Sequence, residues 1–212
     1  MELVSIQVGR TRVIDWKGEK VSTGIYKGPV DSAAVRKLGL EGDEQADLAV
    51  HGGTDNAVYG YAEEHYPWWR GELPGVELPY GVFGENLTIR GFDDAAACVG
   101  DRYRAGGAVL EAVQPRLPCS KLGLRFGDAA MVKRFAQAGR FGVYFRVLEE
   151  GPVRRGDPVT VLSTHPERFP VYELARLYFD PGLTPAKAAR ALGLSVLNDN
   201  WRDMLSKRLK KA

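Results

Sequence analysis

Glycine and proline set the rhythm of this chain. Its 212 residues hold 25 glycines and 12 prolines, most of them before residue 160, and they cut the chain into short apolar runs such as LVSIQV, VLEAV, GVYFRVL and PVTVLS. Close-spaced runs rich in β-branched and aromatic residues, bounded by Gly/Pro turns, predict an antiparallel sandwich or barrel. Helices interrupt them: the pattern predicts one over residues 55–66 (DNAVYGYAEEHY) and one over 128–138, with Asp128 as N-cap.

The texture changes near residue 164. Residues 1–163 carry a net charge of −2 and residues 164–212 a net charge of +4. Three short helices fit the tail. The first is VYELARLYF, 171–179. The second has Thr184 at the N-cap, Pro185 in the first turn and Gly193 as its stop. The third sets Leu197, Trp201, Leu205 and Leu209 on one helical face. The expected division is a β-rich unit over 1–163 and a three-helix unit over 164–212, with THPERFP as linker.

Two cysteines make no disulfide framework, and a reducing compartment is expected. MELVSIQVGR has neither the basic nor the apolar region of a signal peptide, and no run approaches the length of a membrane helix. The expectation is a soluble, cytoplasmic protein. A net charge of +2 argues neither for nor against nucleic acid.

Four stretches carry possible chemistry. In PRLPCSKLGLRF, Cys119 follows Pro118 among Arg116, Lys121 and Arg125. Positive neighbours favour the thiolate, which is both a nucleophile and a soft metal ligand. Cys119 can therefore be a nucleophile, a metal ligand or a buried bystander, whereas Cys98, in AAACVGD, has the apolar setting of a core residue. The second stretch runs from an expected strand (Ala46 to Val50) into His51-Gly52-Gly53-Thr54-Asp55. Glycines before a helix start let backbone N–H groups meet an anion; the plainer reading is a tight turn capped by Thr54 or Asp55. Three scattered histidines give no zinc spacing, which leaves His51 a hydrogen-bonding role. The third, TGIYKGPVD, offers Lys27 as a point charge for phosphate or as a solvated loop lysine. In the fourth, YGVFGENLTIRG, Asn86 can read a heterocycle edge or simply belong to a hairpin turn. A soft thiolate together with anion-binding groups suits a phosphate-bearing cofactor that carries a transition metal.

TGIYKGPV, LEGDEQADLAVHGGTDNAVYGY, PYGVFGENLT, VGDRYRAGGAVLEAVQPRLPCSKL and RGDPVTVL resemble the MOSC domain. The tail resembles the three-helix appendage of its YiiM-like branch. The resemblance implies an α+β, barrel-like fold with flanking helices, which binds the molybdenum cofactor, a molybdopterin. It makes Cys119 the catalytic ligand to molybdenum. It places Lys27, His51, Arg116 and Lys121 at the cofactor pocket, with Asp47, Gly52, Gly53, Asp55 and Asn86 as further cofactor contacts. The implied activity is reduction of N-hydroxylated compounds, such as hydroxylaminopurine-type bases, with electrons from an external reductase. Three rival readings stand beside it. One is a sulfur or cofactor carrier with a persulfide on Cys119. Another is DNA binding through the helix–turn–helix spacing of 183–211, which lacks an arginine at the reading end of its second helix. The last is a cysteine hydrolase, for which no base is identifiable.

Overall fold

A computed structural model describes residues 1–46, 52–179 and 184–210. In chain order the strands are β1 (Glu2–Val8), β2 (Arg12–Trp16), β3 (Glu19–Thr23), β4 (Gly28–Val30), β5 (Ser32–Arg36), β6 (Gly39–Leu40), β7 (Val58–Ala62), β8 (Leu87–Arg90), β9 (Arg102–Ala105), β10 (Ala108–Pro115), β11 (Val143–Glu149), β12 (Gly151–Arg154) and β13 (Val159–Ser163). The helices are α1 (His65–Glu72), α2 (Ser120–Phe126), α3 (Met131–Ala138), α4 (Val171–Phe179), α5 (Pro185–Gly193) and α6 (Asp199–Leu209).

Eight strands form one sheet in the order β13-β9-β10-β11-β7-β8-β1-β4. All its neighbours are antiparallel except β7 and β8. The sheet curls until the chain leading into β13 meets β1, the strand next to its other end. Leu3 N–H donates to Asp157 O at 2.9 Å, Gly156 N–H to Leu3 O at 2.7 Å, and Val159 N–H to Met1 O at 2.9 Å. This closure makes the sheet barrel-like and removes the exposed edge that an open sheet would present. A small sheet (β12-β5-β6) and the β2-β3 hairpin complete the β structure.

Two apolar clusters hold these parts together. Leu3, Ile6, Val58, Leu87, Leu110, Phe145 and Val147 fill the barrel, and the same cluster continues into Leu174 and Leu205 of the C-terminal helices and into Leu194 and Leu197 between α5 and α6. Burial of that continuous apolar surface is what fixes the helices against the barrel. The second cluster is aromatic: Tyr59, Tyr61, Tyr66, Trp69, Phe83, Phe135 and Phe141. Among the described residues no helix is long and apolar enough to cross a membrane.

The helix expected over residues 55–66 is not there. Thr54–Asn56 make one 3-10 turn, Val58–Ala62 form β7, and α1 begins only at His65. Every residue of β7 is buried. A strand covered on both faces shows no alternation of polar and apolar side chains, so periodicity cannot separate it from a buried helix. The expected strand at 46–50 lies almost wholly outside the described residues. The tail helices fall at 171–179, 185–193 and 199–209. Asn198 caps the last of them, its side chain accepting from Trp201 N–H at 3.0 Å.

Candidate functional site

The loop after β10 brings the cysteine to a cavity. Pro115 ends β10, the chain runs through Arg116, Leu117 and Pro118, and Cys119 sits extended (φ −131°, ψ 171°) as the residue before α2. Cys119 and Lys121 line a cavity of about 420 Å³, together with Lys27, Asp43, Asn86, Gln114 and Arg116. Tyr59, Phe83 and Tyr144 supply its aromatic lining, and Tyr178, Trp201 and Met204 reach it from the C-terminal helices.

Arg116 is buried, 5% exposed, and its guanidinium carbon lies 5.4 Å from the centre of the Phe135 ring. Among the described residues no carboxylate pairs with it. Burial works against its charge, but the electrostatic influence of Cys119, Tyr144 and Tyr59 outweighs that and raises its pKa. A cation buried without a carboxylate beside it leaves positive potential for an anionic ligand.

Lys27 is differently placed. Its ammonium touches both carboxylate oxygens of Asp43, and both side chains are buried. Burial lowers the lysine's pKa, while Asp43 opposes that shift. Asp43 also accepts from Gly9 N–H at 2.9 Å and from Asn86 Nδ2 at 2.8 Å. Asn86 gives its other contact to Gln7 O at 3.3 Å, and its Oδ1 accepts from Tyr59 N–H at 3.1 Å. Asn86 thus faces the cavity with its amide engaged by protein, and it braces the wall.

Gly52, Gly53 and Asp55 are not among the residues lining the cavity. Gly53 adopts φ +90°, which glycine alone enters without strain. Asp55 is held by Arg146, at 2.7 Å from Nε and 2.6 Å from Nη2, and caps no helix. Asp47 and His51 lie outside the described residues. Cys98 is 2% exposed, its Sγ 3.4 Å from Ala96 O, and burial raises its thiol pKa.

The sequence reading missed Asp43, Gln114 and the aromatic walls. Asp43 and Gln114 stand inside the runs GDEQAD and VQPRLPC, next to residues that were singled out, but no local spacing ties Asp43 to Lys27 sixteen positions earlier. Among the described residues no group of three or more His, Cys, Asp or Glu is gathered to hold a metal ion.

Comparison with known proteins agrees with this architecture. A model of the MOSC domain matches residues 47–160, and a model of the YiiM-like, 3-alpha helix domain matches residues 170–212. The chain is 38% identical over 207 residues to uncharacterized protein YflK of Bacillus subtilis (strain 168), spanning 97% of this chain and 93% of that one. It is 35% identical to a protein named Reductase from Gibberella moniliformis, covering 99% of this chain but only 38% of that longer protein. The crystal structure of YiiM from Geobacillus stearothermophilus superposes with a TM-score of 0.82 at 32% identity, covering 98% of each chain. The chain belongs to the MOSC domain family, in the YiiM-like group that carries three helices after the barrel.

Proposed function

We propose that this protein is a molybdenum-cofactor-dependent reductase of N-hydroxylated compounds. The observation that carries the reading is the placement of Cys119 on one cavity with Arg116, Lys121 and Lys27. The donor set fits a molybdopterin: one soft thiol for the metal, cations and backbone for a phosphate-bearing pterin, and aromatic walls for its ring. The cavity volume suits a small organic cofactor with room for a substrate.

Cys119 would hold the metal. Arg116, buried on the same cavity wall as Cys119, would attract the cofactor's anionic end. Lys121, in the first turn of α2, would add a second cation. The Lys27–Asp43–Asn86 network would hold the facing wall in shape. When bound, the cofactor supplies the two-electron reduction. In the overall reaction R–NH–OH takes up two electrons and two protons, the N–O bond breaks, and the products are R–NH2 and water. The electrons would come from a separate reductase, and the relative from Gibberella, itself named a reductase, supports reductive chemistry. Two observations weaken the DNA-binding alternative. Asn198 and Trp201, at the start of α6, bond to Gln114 of the barrel, and Asn200 lines the cavity.

The test is the molybdenum and pterin content of protein made in a host that synthesises molybdopterin, beside its Cys119→Ala variant. Near-stoichiometric molybdenum in the parent and little in the variant, with hydroxylaminopurine reduction by the parent alone, is the expected result. A variant that keeps its molybdenum and its activity would sink the assignment. Absence of pterin from both, with a persulfide on Cys119 by mass spectrometry, would favour the sulfur carrier instead.

A further inference from the structure

Among the described residues, β2 and β3 pair with each other and with no other strand. A lone two-stranded hairpin is marginal in water and gains stability from whatever covers it. Its register sets Arg12 opposite Thr23, Ile14 opposite Val21 and Trp16 opposite Glu19, so these side chains share one face. On that face Ile14, Trp16 and Val21 are only half-buried, and none of them belongs to either apolar cluster. Glu44 fastens the base of the hairpin, accepting from Thr11 N–H at 2.8 Å and from Thr11 Oγ1 at 2.9 Å.

The same arm is basic. Residues 9–26 hold Arg10, Arg12, Lys17 and Lys20 against Asp15 and Glu19. The guanidinium carbon of Arg12 lies 3.6 Å from the centre of the Tyr26 ring, and that of Arg125, on α2, lies 4.9 Å from it. Two like charges thus share one ring. Among the described residues no carboxylate pairs with either, and Arg125 Nε is buried without a hydrogen-bond partner. Crowding two cations without an anion is unfavourable, and folds keep such costs where function needs them.

This group stands at the rim of the cavity. Thr23, Gly24 and Ile25, where β3 ends, line the cavity. Lys121, one turn before Arg125 on α2, lines it as well. A protein seated on the arm would therefore lie against the cavity's edge.

We infer that the β2–β3 arm, with Arg12, Tyr26 and Arg125 at its base, is the docking surface for an acidic electron-carrier protein. This rests on the reductase reading, which needs a donor from outside the chain. Two reduced carriers each give up one electron, two protons come from solvent, and one R–NH–OH becomes R–NH2 and water. Electron-transfer encounters use small surfaces and are steered by opposite charge, which suits an arm of this size and sign. A second copy of this chain is a poorer occupant, since two copies paired through the same arm would set basic against basic.

The experiment supplies the molybdenum-loaded protein with 6-hydroxylaminopurine and either of two donors. One is reduced flavodoxin, a small acidic flavin protein; the other is reduced methyl viologen, which needs no docking surface. Arg12→Glu/Lys20→Glu alters two exposed side chains that do not line the cavity. Its kcat/KM for flavodoxin should fall about tenfold or more, the scale of charge steering, and high salt should remove the difference from the parent. Its viologen-driven rate should be no lower than the parent's. Trp16→Ala keeps the charge and should also weaken flavodoxin-driven turnover alone. An unchanged flavodoxin rate, or an equal loss with viologen, overturns the inference. Parent protein that reduces the purine with neither donor refutes the reductase reading, and calorimetric titration with flavodoxin then judges the surface by itself. Binding to the parent that weakens about tenfold in the double variant upholds the surface, and no binding to the parent overturns it. A dimer that Trp16→Ala dissociates, or tighter binding of a single-stranded oligonucleotide than of flavodoxin, would name a different occupant and overturn it too.

Discussion

Lys27 and Asp43 form an ion pair shut inside the protein, with 8% of the lysine side chain and 4% of the aspartate side chain exposed. The pair closes part of the cavity wall, and its two members depend on each other. Removing either leaves an uncompensated buried charge, a far larger penalty than the pair's net worth.

Asp43→Leu should therefore destabilise the protein by about 3–5 kcal/mol. It also strands the Gly9 N–H and the Asn86 amide. The double variant Lys27→Met/Asp43→Leu should lose clearly less than the sum of the two single variants. Urea unfolding of all four proteins checks this, and strict additivity would contradict it.

Glu85 predicts a pH dependence. It is fully buried, and burial raises its pKa above the ordinary carboxylate value. Hydrogen bonds from Tyr66, from Gly81 N–H at 2.7 Å and from Thr88 Oγ1 at 3.2 Å oppose the shift without cancelling it. The folded state then holds this proton where the unfolded state has released it. Its contribution is complete below the ordinary value and is lost as pH rises through the raised one. Glu85→Gln should flatten the stability profile across that window, as measured by denaturant unfolding at a series of pH values. An unaltered slope would mean that other groups set it.

Gly142 has φ +66°, and a Cβ there would lie 2.6 Å from Gly60 O, 2.7 Å from Tyr59 Cε2 and 2.8 Å from Tyr61 Cδ2. Backbone strain and overpacking act together, so Gly142→Ala should cost about 3 kcal/mol. The clash would also press on Tyr59, which lines the cavity. Thermal unfolding reads the first effect and ligand affinity the second.

Asp55→Asn separates shape from binding. Asp55 pairs with Arg146 and is absent from the cavity lining. The substitution should lower stability by about 1 kcal/mol and leave molybdenum content far closer to the parent's than Cys119→Ala does. Equal loss of metal in both variants would place Asp55 at the cofactor after all.

Much of the architecture could be read from pattern, and the exceptions share a cause. β1, β10, β11 and β13 follow the turn-bounded runs, and α4 to α6 follow helical periodicity with Pro185 and Asn198 near their starts. β7 escaped because burial on both faces removes its alternation. At the cavity, the PRLPCSK run showed which residues to watch, and Lys27 and Asn86 join them on its wall. Their partners could not be seen, since Asp43, Tyr59 and Gln7 meet them only through the fold. Trp201 was legible as part of an apolar helical face. Periodicity says that a face is covered and is silent on whether protein or ligand covers it.

The cavity draws its walls from residues within 23–27, 43–46, 56–59, 83–86, 114–121 and 200–204, and from 144 and 178. No stretch of the chain owns it. The barrel itself closes only when residues 156–159 reach the first strand. Such long-range pairings form slowly and late compared with helices and hairpins. A half-made chain has no place to receive a ligand. Any ligand of this cavity would find its full set of contacts only once these distant stretches have met.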